Sequence, residues 1–243
     1  MKKLIVRVLK SNAFGRWLYK PLHALYRLYS VPHRRRLLKR YGPEVLSDLV
    51  KIFKRYRIPA FAAYGTMLGF VRDHGFIPHD DDMDIGIMPN AMTPQQLLRI
   101  LLEKEKGFNV LFVFKFREKV VEFKVEYKHI PIDFFFFEGD ENEVRCPLFF
   151  FKENINYPSP NANSMKILHL PPFKGTTMVP VYGCDFPVLD DTENALAALY
   201  GESWRIPDKK WNDDKRPHID DIPEFGYSIS LEEAFQLEPQ SNT

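Results

Sequence analysis

The sequence predicts an α+β (α/β) fold in which a mixed sheet is flanked by helices and led by a basic helical arm. Three observations carry this. Helical and strand-like hydrophobic periods interleave along the chain, the pattern of elements packed in layers about a sheet. The 243 residues are 45% apolar and 27% charged, an ordinary globular balance with enough chain to bury a core unaided. Residues 1–40 hold 12 Lys/Arg and no Asp or Glu, whereas the remainder sets 22 basic residues against 32 acidic ones. The net charge of +2 thus conceals a basic arm on an acidic body. Such a body would repel a phosphodiester backbone, which argues against nucleic acid as a partner. Cys146 and Cys184 are the only cysteines, without CxxC or paired Cys/His spacing, so neither a disulfide framework nor a structural zinc site is expected.

The chain divides into the arm (1–40), a main domain (41–215) and a C-terminal tail with a short helix (216–243). In the arm, Leu18, Leu22, Leu25 and Tyr29 fall at helical spacing, while Arg16, Lys20 and Arg27 lie off that stripe. Lys2, Lys3, Arg7 and Lys10 interrupt the apolar stretches, so neither a spanning segment nor a secretory leader is expected. The stripe fits an interfacial helix on an anionic membrane surface. A helix docked on its own domain with a solvated basic face is the other reading.

A helix is expected from Pro43 to Tyr56, with Val45, Leu49, Ile52, Phe53 and Tyr56 as its stripe and Ile58-Pro59 as its stop. Ala60 to Tyr64 reads as a short buried strand ending at Gly65, and Leu68 to Val71 as a helical turn. Thr93-Pro94-x-Gln96 is a capping box opening a helix to about Lys106. Three strands follow. Phe108–Phe116 is largely apolar; Val121–Tyr127 alternates with Glu122, Lys124 and Glu126, marking one wet face; Ile130–Phe137 is continuously apolar except for Asp133, the mark of a central strand. Residues 138–190 are turn-rich and read as short strands with a long surface loop. Asp191 and Gly201 bracket a helix through Leu196 and Leu199, and Ser230-x-x-Glu233 caps a last short one.

The densest chemistry lies between Gly65 and Gly86. Asp80, Asp81, Asp82 and Asp84 crowd into five residues beside apolar Ile85 and Ile87. In extended backbone Asp82 and Asp84 point to one face, where two carboxylates repel unless a hard divalent cation sits between them. A calcium loop fails on spacing, because Ile85 stands where Gly is needed and Ala91 where Glu should close it. Asp133 is a lone acid in an apolar strand, costly unless paired or metal-bound, and completes a candidate set with Asp82 and Asp84. Gly65-Thr66 at a strand-to-helix turn can admit a phosphate. Arg72 can meet a second phosphate oxygen or pair with Asp73.

The run Gly65-Thr66-Met67-Leu68-Gly69, then Arg72, then Gly75-Phe76-Ile77-Pro78-His79-Asp80-Asp81-Asp82-Met83-Asp84-Ile85 closely resembles the hallmark of the LicD / fukutin-related family. It is specific over about twenty residues and extends more weakly, through Asp133 and Tyr200-Gly201, over residues 40–215. The resemblance implies a nucleotidyltransferase-like fold of the polymerase β type. It further implies a transferase that moves phosphocholine or a similar phospho-alcohol from a CDP-alcohol donor to a glycan or lipid-linked glycan acceptor. By position it assigns metal binding (Mg²⁺ or Mn²⁺) and catalysis to Asp82, Asp84 and Asp133, and the donor-phosphate turn to Gly65 and Thr66. His79 departs from the pattern, standing where the family usually has Trp, and Trp204 reads equally as core or substrate contact.

On this reading the expected role is cell-surface polysaccharide or lipopolysaccharide modification by an enzyme peripheral to the cytoplasmic face of a membrane. Arg72 would help hold the donor phosphates. A DxD-type metal-dependent glycosyltransferase explains the metal but leaves Gly65-Thr66 and Asp133 without roles. A catalytically inactive membrane-associated binding protein would have no reason to keep mutually repelling acids.

Overall fold

A computed structural model describes residues 13–150, 152, 155–208, 211–212 and 216–237, with side chains from residue 28 onward. The first element is a helix, α1 (Ala13–Tyr56), 44 residues long. It is longer than the helix expected from Pro43 and crosses residue 40 unbroken. Leu38, Val45, Leu46, Leu49, Ile52 and Phe53 bury its inner stripe, and packing of such a stripe, rather than propensity, sustains a helix that contains prolines. Among the described residues no helix is long and apolar enough to cross a membrane. The side chains of Leu18, Leu22 and Leu25 lie outside the described residues. Leu28 and Tyr29 are exposed.

The short strand β1 (Ala60–Ala62) leads into α2 (Tyr64–Leu68) and a π-helical turn over Gly69–Asp73. Next come β2 (Met83–Ile87) and α3 (Pro94–Arg99), which begins with the expected Thr93/Gln96 capping box. It continues as a π turn over Ile100–Lys104 rather than running straight to Lys106. Strands β3 (Asn109–Phe116), β4 (Lys119–Tyr127) and β5 (Ile130–Phe136) fall where their hydrophobic patterns predict them.

The second half differs more from expectation. Residues 138–190 are mostly sheet: β6 (Glu138–Gly139), β7 (Val144–Phe150), β8 (Ala162–Leu170) and a hairpin of β9 (Thr176–Val181) and β10 (Cys184–Leu189). Tyr182 and Gly183, both at positive φ, form the two-residue turn of that hairpin, whose twist suits paired strands. In α4 (Thr192–Tyr200) Gly201 closes the helix at φ 84. Asp191 makes no side-chain cap there, its carboxylate accepting instead from the Asn194 side chain at 3.0 Å. The segment read as a tail supplies β11 (Ile219–Ile229) before the Ser230-capped α5 (Leu231–Gln236). This strand is acidic, contains Pro223 and Gly226, and bulges between Ile222 and Phe225, so its local pattern concealed it.

The large sheet has nine strands in the order β1-β2-β5-β4-β3-β11-β8-β7-β6. β2 and β5 are parallel, and the other pairs are antiparallel. Register fixes the site. Ile85, Phe134 and Phe123 form one cross-strand row, all buried in the main core. One residue along, Asp84, Asp133 and Lys124 form the next row. Because side chains alternate along a strand, this charged row points to the opposite face of the sheet.

Candidate active site

Local structure brings Gly65 and Thr66 onto the acidic strand. The Ala63 amide donates to the Asp84 carbonyl at 2.9 Å, and the Thr66 hydroxyl, 1% exposed, accepts from the Asp84 amide at 2.8 Å. Thr66 thus ties the α2 turn to β2 and sets the backbone of Asp84. Gly65 presents bare backbone to the acids. A Cβ there would lie 3.3 Å from Asp80 Oδ2 and 3.6 Å from Asp84 Oδ2, so any side chain would enter the space between carboxylates.

The expected trio converges. Asp84 and Asp133 are direct partners on the parallel strands, and Asp82 joins them through Lys124. That ammonium lies 2.7 Å from Asp133 Oδ2 and 3.1 Å from Asp82 Oδ2. The other Asp133 oxygen, Oδ1, is buried with no hydrogen-bond partner, a costly arrangement that a cation would relieve. Among the described residues, no group of three or more His, Cys, Asp or Glu side chains is already gathered closely enough to hold a metal ion; Lys124 occupies the middle of the acids.

Electrostatics mark the cluster as strained. Burial first, then the charges of Asp82 and Asp81, push the Asp80 carboxyl up to about 7. Burial and Asp82 hold Asp84 well above the ordinary carboxylate range. Burial lifts Asp133 as well, with Lys124 pulling the other way. Burial alone would lower the Lys124 ammonium, but Asp133 and Asp82 raise it. Glu122, buried on the same face of β4, is held far above its usual value by burial and then by Asp133. Carboxylates that repel one another in a partly dry setting suit the binding of a divalent cation.

Arg72 stands apart from this convergence. It makes a two-pronged pair with Asp73 at 2.8 and 2.9 Å and also donates to the Trp204 carbonyl at 3.3 Å. The Trp204 ring is buried in the core. From the basic arm, Arg34 donates to Asp81 Oδ2 at 2.6 Å and Arg35 to the His79 carbonyl at 2.7 Å. That end of the arm is docked on its own domain and braces the acidic loop.

Glu122 and Lys124 are the residues sequence reasoning missed. Their alternation suggested a solvated face; only the pairing of β4 with β5 reveals that this face meets Asp133. Nearby, a cavity of about 250 Å³ is lined by Tyr64, Asp84, Glu122, Phe135, Leu148 and Arg216, among others. Tyr64 adopts φ 42, unusual for a bulky residue and typical of strained positions at functional sites. The Arg216 guanidinium lies over the rings of Tyr64, Tyr200 and Trp211 at 5.1, 5.6 and 5.4 Å, which fixes a second cation beside the acids.

Comparison with known proteins identifies a family. The family described as LicD/FKTN/FKRP, nucleotidyltransferase domain, matches residues 57–180, a span holding the carboxylates from Asp80 to Asp133. The chain belongs to this family. The mouse protein named ribitol-5-phosphate transferase FKTN is 25% identical over 180 residues, covering 72% of this chain and 36% of its own. Its human counterpart is 22% identical over 183 residues, covering 74% and 36%. An uncharacterized protein of Rickettsia typhi is 32% identical over 116 residues, covering 42% of this chain and 36% of its own. The chain therefore matches about a third of the length of these curated relatives.

Proposed function

We propose that this chain is a metal-dependent transferase of the nucleotidyltransferase fold that moves a phospho-alcohol group from a CDP-activated donor to a glycan hydroxyl, releasing CMP. The observation that carries this is the Asp84–Asp133 row on parallel strands, joined by Asp82 and left with a buried, unpartnered oxygen on Asp133. The oxygen donors and their mutual repulsion fit a hard divalent cation. Mg²⁺ or Mn²⁺ held by Asp82, Asp84 and Asp133 would offset the charge of the donor pyrophosphate and lower the pKa of an acceptor hydroxyl.

The chain's own groups divide the remaining work. Gly65 leaves room for the donor phosphates beside the acids, and Thr66 sets Asp84 in place through its amide. Asp133, enclosed and with one oxygen unpartnered, takes the acceptor proton or orients the hydroxyl for in-line attack. Arg72 acts at longer range, since its charge still lowers the Asp80 pKa. The relatives named for ribitol 5-phosphate favour an alditol phosphate over phosphocholine as the group moved. Exposed Leu28 and Tyr29 on the basic helix support a peripheral position at the inner face of an anionic membrane, with a lipid-linked glycan, such as a lipopolysaccharide precursor, as acceptor.

The test is CMP release from CDP-ribitol, CDP-glycerol, CDP-choline and CDP-ethanolamine with Mn²⁺ or Mg²⁺, beside Asp82→Ala. Metal-dependent release by the wild type alone is expected. Turnover of UDP-sugars in place of every CDP-alcohol would transfer the site to a glycosyltransferase, and full activity of the Asp82 variant would remove the site altogether.

A further inference from the structure

Lys124 has no role in the transfer described so far, yet it occupies the centre of the cluster. Its ammonium touches Asp133 Oδ2 and Asp82 Oδ2 at 2.7 and 3.1 Å, the two carboxylates a metal would need together with Asp84. An ammonium bridging two carboxylates meets much of the same demand as a divalent cation, and two cations cannot share that position without strong repulsion. The side chain is not locked in. It retains 25% exposure while Asp133 retains 6%, so the flexible stem of Lys124 has an open side and Asp133 does not. Register fixes its base directly opposite Asp133, so wherever the ammonium moves it remains at the rim of the acids. An anionic donor brought to that rim would meet it. The buried Oδ1 of Asp133, with no partner, shows that the ammonium satisfies the cluster only in part.

We propose that Lys124 is a built-in counter-ion that competes with the divalent cation for Asp82 and Asp133 and, once displaced, binds the phosphate oxygens of the donor. In the metal-free protein it holds Asp82 and Asp133 together in place of a metal. With metal present, its positive charge is transferred to the ligand that needs it, a nucleoside diphosphate. Metal entry and donor binding are thereby coupled through one side chain. This inference rests on the metal-dependent reading above.

The experiment compares wild type, Lys124→Met and Lys124→Arg, using Mn²⁺ alone and then CDP at saturating Mn²⁺, by titration calorimetry. Lys124→Met is expected to bind Mn²⁺ about tenfold more tightly and CDP about tenfold more weakly, with Lys124→Arg between the two in CDP affinity. Because Lys124→Met leaves buried acids unpaired and can fail to fold, amine acetylation of the wild type, read by mass spectrometry, supplies an independent measure. Labelling of Lys124 is expected to rise about fivefold or more on adding Mn²⁺ and to fall again on adding CDP. Mn²⁺ binding that is unchanged or weaker in Lys124→Met, or labelling indifferent to Mn²⁺, would overturn the inference and leave the transferase reading intact. A wild type that binds no Mn²⁺ with or without CDP would overturn both.

Discussion

Lys124 and Lys128 lie four residues apart on one β-hairpin, and each ammonium bridges two carboxylates. Lys124 joins Asp82 and Asp133 inside the site. Lys128, in the turn after β4, joins Glu44 and Asp48 of α1 on the outside, 2.7 Å from Asp48. The charges are alike and the outcomes opposite. At Asp48 burial is the largest single influence and would raise the carboxyl, but the hydrogen bond and charge of Lys128, with the hydrogen bonds of Tyr127 and Lys51, together outweigh it, and the pKa falls below its ordinary value. At Asp133 burial outweighs the same kind of partner, and the pKa rises. Water decides: one ion pair fastens a helix to a hairpin, whereas the other leaves repulsion among buried acids unrelieved.

The contrast breaks most sharply at Asp84. Asp84→Asn keeps the shape of the side chain and removes one of the repelling charges. It is expected to reduce CMP release by about a thousandfold or more while making the metal-free protein about 1 kcal/mol more stable at neutral pH. Turnover measurements and urea denaturation check the two halves. Loss of activity together with loss of stability would mean that Asp84 is structural. The same logic applies to added metal. At a hundredfold excess over its dissociation constant, Mn²⁺ should stabilise the wild type by about 2.7 kcal/mol, with a clearly smaller gain in Asp84→Asn.

Next in size is the turn that faces the acids. In Gly65→Ala a methyl group would crowd Asp80 at 3.3 Å and touch Asp84 at 3.6 Å, with activity expected to fall about 10- to 100-fold through displaced reacting groups. Wild-type turnover in that variant would show that the close approach has no function. Thr66→Val removes the acceptor for the Asp84 amide and should cost about 1–2 kcal/mol of stability, measured by denaturation.

How much of this was legible follows from the range of the interactions. The trio Asp82, Asp84 and Asp133 could be read because each stands out against its immediate neighbours: acids before an apolar strand, and one acid within another. Gly65 could be read from its place just after β1, in the turn that opens α2. Glu122 and Lys124 could not, since alternation on β4 says only that one face is polar, and the register with β5 decides that this face meets acids rather than water. Arg72 was ambiguous for the opposite reason, because a local partner, Asp73, competes with any distant one and holds it. The far half of the sheet was lost for similar reasons. β11 pairs with β3 and β8 across long sequence separations, and its own residues, Ile219-Asp220-Asp221-Ile222-Pro223-Glu224, carry little β propensity. Burial of Leu38 and docking of Arg34 and Arg35 blurred the division between arm and domain, which charge alone had placed at residue 40.

The smallest effect tests the outer member of the pair. Lys128→Met removes an ion pair in which Lys128 is about a third exposed, so a loss of about 0.5 kcal/mol or less is expected at neutral pH after solvent screening. Its sign with pH is fixed by Asp48. A carboxyl whose folded pKa lies below its unfolded value stabilises the folded chain above the unfolded pKa and loses that contribution as pH falls through the folded one. The ordinary value is 3.8 and the shift is downward, so the gap between wild type and Lys128→Met should be constant at neutral pH and close as the medium is acidified below about 3.8. Denaturation of both proteins between neutral pH and pH 3 measures it. A gap that persists undiminished on acidification would mean that Lys128 contributes through its stacking on Tyr127, 5.4 Å from the ring centre, and the contrast with Lys124 would then rest on geometry rather than on water.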